Sequence, residues 1–237
     1  MIPSSKATTS PDWDHGQRRQ TIVEHLLKAI LHGRLRSGQR LVNRTLSADL
    51  GVGQTPIREA LITLAGIGVV EIRPNRGAIV RTLRPREVRD IYLVRRALEC
   101  EATRTACGRV KVEDLRALSA DIRELIETTA NDRDRLIERC RWIDNRLHNL
   151  IAQGCGNIFL KDELDRLKLL YRAFRDSSYE QEGPLDNFLR KDVEAREHLA
   201  IVEALLARER TASVRAMSRH IISSIKYFGE ISRLTNS

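Results

Sequence analysis

Residues 46–61 read LSADLGVGQTPIREAL. Apolar residues recur at helical spacing on both sides of Gly51, which predicts a short helix over about 44–50 and a second over about 54–65. A glycine can take the left-handed conformation that turns the chain after a helix. Thr55 is predicted to cap the second helix, with Pro56 at its first position, and a start at Gly53 is the alternative. The stretch therefore predicts a helix-turn-helix.

The flanking sequence extends this motif on both sides. Apolar residues at helical spacing predict a helix over 18–32, and LRSGQRL at 35–41 is predicted as a turn. Two β-type runs, 69–73 and 78–81, flank the sequence Pro74-Asn75-Arg76-Gly77 and predict a hairpin with a polar, basic tip. Together these elements predict a winged helix-turn-helix over residues 18–84, preceded by a flexible arm at 1–17.

The charge of the chain is concentrated in this same region. The 237 residues carry 41 Lys and Arg against 32 Asp and Glu, a formal net charge of +9. Residues 1–84 hold 13 basic against 6 acidic residues, whereas residues 85–237 hold 28 against 26. A basic head on a near-neutral body indicates an anionic partner for the head, with nucleic acid first and a membrane surface second.

Four polar side chains of the motif are placed to contact DNA. Gln54, Thr55 and Arg58 project from the start of the second helix, where a helix-turn-helix enters the major groove. Arg58 can bind a guanine edge or a phosphate, and Arg44 can reach the backbone or a base edge. The hairpin tip, Arg76 and Gly77, is predicted to lie in or beside the minor groove. The alternative from spacing alone is an ordinary helical hairpin with a solvated, charged face.

Beyond residue 85 the pattern becomes entirely helical. Apolar periodicity predicts six helices, over about 86–107, 112–129, 132–153, 156–174, 188–208 and 211–233. Helices of this length bury their apolar stripes against one another, which predicts an antiparallel bundle over residues 85–237. The predicted fold class is therefore mainly α, a winged helix-turn-helix followed by an all-α bundle of about six helices.

Several other classes of protein are disfavoured by missing patterns. The chain has no G-x-S-x-G or Walker A motif, and no apolar run long enough to span a bilayer. Its four cysteines never form C-x-x-C, which predicts free thiols in a reducing compartment. The first seventeen residues lack the apolar segment of a secretory signal. We therefore expect a cytoplasmic protein that is not an enzyme and has no membrane partner.

The predicted bundle contains a possible metal site. Asp144 and His148 share one helix face at i,i+4, and His198 and His220 lie at the edges of two further apolar stripes. Buried imidazole and carboxylate groups need partners, which are either one another or a shared metal ion. Three nitrogens and one oxygen suit Zn, Ni, Mn or Fe better than Mg or Ca. Spacing alone leaves both readings open, and satisfied core histidines are the simpler one.

The first third of the chain resembles a known family. GRLRSGQRL and LSADLGVGQTPIREALITLAGIGVVEIRPNRGAIV, within about 18–81, resemble the winged-helix domain of GntR-family transcriptional regulators and contain its Gly-Val-x-x-Thr-Pro-x-Arg-Glu-Ala-Leu core. The resemblance implies direct DNA contact by Arg44, Thr55, Arg58 and the wing pair Arg76-Gly77. The family usually has Ser-Arg where this chain has Gly53-Gln54. One basic contact is therefore missing, and a different operator preference is expected.

The body resembles the FCD ligand-binding domain of the FadR subfamily over about 86–233. IDNRLHNLIAQGCGN is similar to its Asp-x-x-x-His helix, with Leu147 where Phe is usual, and EHLAIVEAL and MSRHI are similar to the segments with its other two histidines. The resemblance implies metal ligation by Asp144, His148, His198 and His220. Arg95, in YLVRRALE, corresponds to a basic residue that often faces the ligand cavity, and its guanidinium would pair with a carboxylate effector. The alternative for Arg95 is an exposed helix arginine. Six helices match the VanR-type version of the domain.

Three functional hypotheses follow. The first is a homodimeric transcriptional regulator, more commonly a repressor in this family, that reads a two-fold symmetric double-stranded DNA operator and responds to a small organic acid at a divalent transition metal. The second is a metal-dependent helical enzyme tethered to DNA by its basic head. The third is a winged-helix DNA binder whose body only dimerises. The first is the one we expect.

Overall fold

The helix-turn-helix forms around Gly51 as predicted. In the computed structural model, α2 (Asn43–Leu50) ends at Gly51, whose backbone is left-handed at φ 64° and ψ 31° and whose N–H donates to the carbonyl of Ser47. The next helix, α3 (Gln54–Ile67), is capped by Gly53 in extended backbone. Thr55 is therefore not the cap: its own backbone is already helical, whereas a cap residue stands outside the helix. The alternative start at Gly53 is the correct one.

The structure describes residues 15–73, 77–128, 133–179 and 186–234. The remaining elements complete a mainly helical chain, as predicted, with a small sheet. They are α1 (His15–Leu31), β1 (Arg40–Leu41), β2 (Val70–Arg73), β3 (Gly77–Val80), α4 (Pro85–Ala106), α5 (Val112–Glu127), α6 (Arg133–Gly154), α7 (Ile158–Tyr179), α8 (Asp186–Leu206) and α9 (Arg210–Leu234). The six helices from α4 to α9 agree with the six predicted segments to within a few residues at most ends.

The sheet has three antiparallel strands in the order β1-β3-β2. Val70 pairs with Val80 and Arg73 with Gly77, which forms the predicted hairpin. Arg40 and Leu41 add a third strand by pairing with Ile79 and Ala78. The sequence had predicted a turn here. Two residues are too few to show the alternation of apolar and polar side chains that marks a strand.

The described residues form two compact units. The first contains the chain up to Arg84 together with α7 from Arg166 onward, and the second contains the rest. In the first unit, α1 packs against α3. The inner face of α3 is apolar and fully buried at Ile57 and Leu64, which leaves its opposite face for a partner.

The second unit holds the helices that carry the candidate metal ligands. Helix α4 packs against α6 and α9, and α8 packs against α5 and α9. Its core is aliphatic, with Leu118, Ile143, Ile201 and Ile221 almost completely buried. Within this core lies a set of buried polar side chains from α4, α6, α8 and α9, and these form the candidate site.

Gly156 and Asn157 form the turn between α6, which carries Asp144 and His148, and α7. Gly156 has a left-handed φ of 72°, and a Cβ on it would lie 2.5 Å from Nη1 of Arg109. That guanidinium donates to the carbonyl of Cys155 at 3.2 Å. Asn157 accepts a hydrogen bond from the backbone N–H of Leu160 through Oδ1 at 3.1 Å, which caps α7. The pair thus ends one helix and starts the next.

Two further observations concern the sequence-based exclusions. Within the described ranges, none of the helices combines the length and the apolar character that a membrane span requires. The four cysteines are free thiols, with Cys107 and Cys155 buried and the other two partly exposed.

Candidate metal centre and DNA-binding face

The structure brings the four predicted metal ligands together. Asp144 and His148 lie on α6, His198 on α8 and His220 on α9, and all four side chains are buried. Each offers one ligand atom, and these four atoms all lie within 4.8 Å of one another. Three helices therefore converge on one small polar volume in an otherwise aliphatic core.

The carboxylate lies beside two of the imidazoles. Asp144 Oδ1 is 3.4 Å from Nε2 of His148 and 3.7 Å from Nε2 of His198. The ring centroids of His198 and His220 are 4.6 Å apart, and those of His148 and His220 are 5.5 Å apart. Rings this close leave room for one small ion between them but not for an intervening side chain.

Two glutamates hold the outer nitrogens of two of these histidines. Glu99 on α4 contacts Nδ1 of His148 through Oε2. Glu197 on α8 lies 3.0 Å from Nδ1 of His220 through Oε2. A carboxylate accepts the Nδ1–H of an imidazole, so the lone pair of that ring is on Nε2. Carboxylates commonly orient metal-binding histidines in this way.

The hydrogen bonding of His198 distinguishes a metal site from a set of buried histidines that are all hydrogen-bonded. Its Nε2 is buried and has no hydrogen-bond partner among the described residues. The nearest carboxylate oxygen, on Asp144, lies at 3.7 Å, which is beyond hydrogen-bonding distance. A buried polar atom without a partner costs about 1–3 kcal/mol, and a coordinated ion would remove that cost. The four residues therefore fit a transition metal.

The electrostatics shift the pKa values of two of these rings in opposite directions. Burial, reinforced by the nearby His220, holds the pKa of His198 well below its usual range, so that ring is neutral. Burial also disfavours the charged form of His148, but the Glu99 carboxylate outweighs it and raises the pKa of His148. Burial would raise the pKa of Glu99, whereas Arg95 and His148 together lower it to about 2, so this glutamate is ionised.

Arg95 lies inside the second unit, next to the metal ligands. It is 4% exposed, its Nε donates to Oε1 of Glu99 at 2.5 Å, and its Nη2 lies 3.0 Å from Nε2 of His148. The alternative of an exposed helix arginine is therefore wrong. Its role in binding an effector stays a prediction, to which the structure adds a position beside the candidate metal.

Sequence reasoning missed Glu99 and Glu197. An Arg–Glu pair at i,i+4 has the same spacing whether it is exposed or buried, so the pair of Arg95 and Glu99 did not stand out. A signal was nevertheless present, since Tyr92, Arg95 and Glu99 share one helix face at i, i+3 and i+7, and all three are buried. Glu197 directly precedes His198, but its partner is on another helix.

The predicted DNA-contacting residues form an exposed group at the helix-turn-helix. Gln54, Thr55 and Arg58 are exposed in the first turns of α3, opposite its apolar face, and Arg44 is exposed at the start of α2. Gly77 begins β3 with a left-handed φ of 80° and is also exposed. Arg76 lies outside the described residues. Contact of these residues with DNA stays a prediction.

Comparison with known proteins identifies both parts of the chain. Residues 18–80 match the family described as bacterial regulatory proteins of the gntR family, and residues 90–223, more than half of the chain, match the FCD domain. The chain belongs to the GntR regulators with an FCD domain. This GntR–FCD protein is accordingly a DNA-binding transcriptional regulator, as predicted, and members of this family are regulators rather than enzymes.

Individual relatives agree with this assignment. The GntR–FCD protein is 29% identical over 202 residues to the HTH-type transcriptional repressor RspR of Escherichia coli (strain K12), a match that covers 85% of each chain. The solved structure of E. coli McbR/YncC has a TM-score of 0.71 at 19% identity and covers 89% of this chain and 96% of that one. A transcriptional regulator GntR from Rhodococcus sp. RHA1 has a TM-score of 0.67 at 19% identity, with 90% and 97% covered. At these identities the two structures show the fold alone, and they confirm it.

Proposed function

We propose that this GntR–FCD protein is a metabolite-responsive repressor of the FadR subfamily. Asp144, His148, His198 and His220 would hold a divalent transition metal in the FCD domain. A small organic acid would bind there, and its binding would control the affinity of a homodimer for its operator. The observation that supports this proposal is a set of four buried residues whose ligand atoms all lie within 4.8 Å of one another. One of the four, His198, has a buried Nε2 with no hydrogen-bond partner among the described residues.

The ligand set indicates the kind of metal. Asp144, His148, His198 and His220 would hold the ion through three nitrogens and one oxygen, which favours Zn, Ni, Mn or Fe over Mg or Ca. Such an ion supplies Lewis acidity, which attracts an anionic oxygen of the effector. Glu99 and Glu197 orient two of the imidazoles and add negative charge around the dication.

Arg95 supports a carboxylate as the effector group. Its guanidinium is buried beside His148, so an anion near the metal would also be near a second, fixed positive charge. Guanidinium and carboxylate groups form short, charge-assisted hydrogen bonds. A small organic acid matches a dication and an arginine better than a neutral or cationic metabolite does.

The DNA-binding face supports an operator with two-fold symmetry. Arg44, Gln54, Thr55 and Arg58 are exposed on the helix-turn-helix, and we propose that they contact DNA together with the wing pair Arg76 and Gly77. Helix-turn-helix dimers bind two half-sites in successive major grooves, so a homodimer requires a symmetric operator. Repression is proposed because the relative RspR is named a repressor. The effector would relieve repression by its different affinities for the two states of the protein.

Measuring the metal content of the purified protein tests whether the four buried residues bind an ion. We expect the purified protein to hold about one equivalent of metal per chain and the double variant His148→Ala, His198→Ala to hold none, because two of the four ligands are lost. His32→Ala, which removes an exposed histidine outside this cluster, is the matched control. Equal metal content in all three proteins would leave a winged-helix protein whose body only dimerises.

A screen of small organic acids tests whether an effector binds at this site and controls DNA binding. Small organic acids are added to the metal-loaded protein, and a ligand of the native state raises its Tm. We expect the Tm shift to disappear in the double variant and to persist in His32→Ala. The same acid is then expected to weaken binding to the promoter of the protein's own gene in a gel-shift assay. An acid that shifts Tm without changing DNA binding would contradict control of the operator.

A further inference from the structure

Two side chains of α7 contact the end of the helix that is expected to read DNA. Arg166 donates from Nη1 to the backbone carbonyl of Ile67, the last residue of α3, at 3.3 Å. Leu170 lies one turn further along α7, and a Cβ placed on Gly68 would be 3.5 Å from its Cδ1. From Arg166 onward, α7 belongs to the same compact unit as the helix-turn-helix. The unit that contains α3 is therefore larger than the segment up to residue 84.

The hydrogen bond from Arg166 satisfies one of the carbonyls at the end of α3. The last carbonyls of a helix have no partner within the helix, and a positive side chain near them also interacts favourably with the helix dipole. Gly68 ends α3 in left-handed backbone, at φ 96° and ψ 7°, and its N–H donates to the carbonyls of Leu64 and Ala65. The guanidinium of Arg166 adds a side-chain contact, at Ile67, to this backbone cap.

The same end of α3 is its junction with the wing. Val69 follows Gly68 directly, and its carbonyl accepts a hydrogen bond from the backbone N–H of Arg81 at 2.9 Å. Strand β2 begins at the next residue, Val70, and both valines are buried. The side chain of Arg81 also reaches this point, since its Nη1 would be 3.6 Å from a Cβ on Gly68. A shift at this junction would therefore change the angle between α3 and the hairpin.

The part of α7 that contacts this junction is well packed. Leu167, Leu170 and Tyr171 are buried, and Arg166 is partly buried. We infer that Arg166 and Leu170 are positioning residues for DNA recognition, which hold the end of α3 so that α3 and the wing bind one DNA site in a fixed relative orientation. Both residues lie within 90–223, the part of the chain that matches the FCD domain. The inference rests on the proposed DNA contacts of α3 and the wing.

Hydrogen exchange of the full-length protein, measured by mass spectrometry without DNA, tests the contact itself. In Arg166→Met, we expect the amides of residues 64–70 to exchange about threefold to tenfold faster, the scale of one hydrogen bond, because the end of α3 opens more easily. Arg166→Lys keeps a charged donor and should exchange like the wild type. Arg116→Met, which removes an exposed arginine on α5, is the control and should leave these amides unchanged. Unchanged exchange in Arg166→Met would overturn the inference.

Binding to the promoter of the protein's own gene tests whether this contact matters for recognition. We expect Arg166→Met to bind that DNA about threefold to tenfold more weakly than the wild type, and Arg166→Lys to bind it almost equally well. A positioning residue makes no phosphate contact, so the salt dependence of binding should be unchanged in Arg166→Met. A direct phosphate contact would lower that dependence by about one unit when it is lost. A lowered salt dependence, or wild-type affinity in Arg166→Met, would overturn the inference.

Leu170→Ala tests the second contact without changing any charge. We expect faster exchange over residues 64–70 and weaker DNA binding with the salt dependence of the wild type. Leu164→Ala is the matched control, because Leu164 is similarly buried on α7, at 8% exposure against 6%, but belongs to the second unit. Equal exchange over residues 64–70 in the two variants would show a general loss of stability and overturn the role of Leu170. A wild type that does not bind this DNA would contradict the proposed operator, and the exchange rates alone would then decide whether α7 holds α3.

Discussion

Glu99 on α4 and His148 on α6 are joined through Oε2 and Nδ1 in the interior of the second unit. This contact links the helix that carries Arg95 to the helix that supplies two of the candidate metal ligands. It also decides which nitrogen of His148 carries the proton, and therefore which one can bind a metal. Several consequences of this relationship can be measured without knowing the effector.

Replacing Glu99 by Gln is expected to weaken Zn²⁺ binding by about 10-fold to 100-fold, the range observed when outer partners of metal ligands are changed. Because Nε of Arg95 keeps the amide oxygen as its acceptor, the amide nitrogen faces Nδ1 of His148 and donates to it. This favours the ring tautomer with its proton on Nε2, which cannot coordinate. The affinity is measured by chelator competition. Glu101→Gln is the matched control, since Glu101 is an exposed glutamate on the same helix that pairs with Arg104. Equal loss in the two variants would show that charge, rather than tautomer, matters.

Replacing His198 by Leu is expected to have opposite effects with and without metal. In the presence of a chelator, the variant should be as stable as the wild type or slightly more stable, because a buried Nε2 without a hydrogen-bond partner among the described residues is replaced by an apolar group of similar size. With Zn²⁺ present, the wild type should gain stability and the variant should not. Thermal unfolding under both conditions measures the difference. A large loss of Tm in the chelator, absent from His32→Leu, would show that His198 has a structural role instead.

The sequence predicted the helices well and the third strand not at all, for physical reasons. Long amphipathic helices such as α5 and α6 repeat their apolar pattern over several turns, so each is visible by itself. Strand β1 is only two residues long, and it exists because β3 offers Ile79 and Ala78 as partners. Pairing of that kind is a property of the folded chain and leaves no local pattern.

The candidate site shows the same limit. Asp144 and His148 share a helix face at i,i+4, so their proximity follows from the sequence. Bringing His198 and His220 to them required the resemblance to the FCD domain, because periodicity does not say which helices are neighbours. Glu99 was missed because its pairing with Arg95 has the spacing of an ordinary surface pair, such as Lys161 and Asp165, which are partly exposed. Burial separates the two cases, and burial comes from the packing of α4 against α6 and α9.

Cys140 is expected to react slowly with alkylating agents. Burial, with a contribution from Glu194, raises the pKa of its thiol to about 11. The reactive thiolate forms only as the pH rises toward that value, so at pH 8 its fraction is about a hundredfold below that of an ordinary thiol. Iodoacetamide labelling followed by peptide mass spectrometry measures the rate, with glutathione as the reference. Labelling of Cys140 at the rate of glutathione at pH 8 would contradict the raised pKa, and unfolding in urea should restore that rate.

Asn157→Ala is expected to lower the free energy of unfolding by about 1 kcal/mol, because it removes the hydrogen bond that caps α7. Gly156→Ala should lower it further, since φ is 72° there, a conformation that strains any residue with a Cβ, and the added Cβ would displace Nη1 of Arg109. Urea denaturation measures both changes. Gln153→Ala, at an exposed position in the last turn of α6, is the control and should be close to wild type. A smaller loss of unfolding free energy in Gly156→Ala than in Asn157→Ala would contradict this account of the turn.

Arg58→Ala is expected to weaken binding to the promoter of the protein's own gene by about tenfold or more, the scale of one lost base or phosphate contact. Arg58 is exposed on the first turns of α3, and the buried Ile57 beside it holds that helix in place. Gel shifts across a range of salt concentrations distinguish the two kinds of contact. Loss of a phosphate contact lowers the salt dependence by about one unit and weakens binding to all sequences equally, whereas loss of a base contact relaxes the preference at one operator position.

Arg116→Ala removes the same charge from an exposed position on α5 and should bind DNA like the wild type. Equal losses in the two variants would mean that net charge, and not the helix-turn-helix, accounts for the affinity.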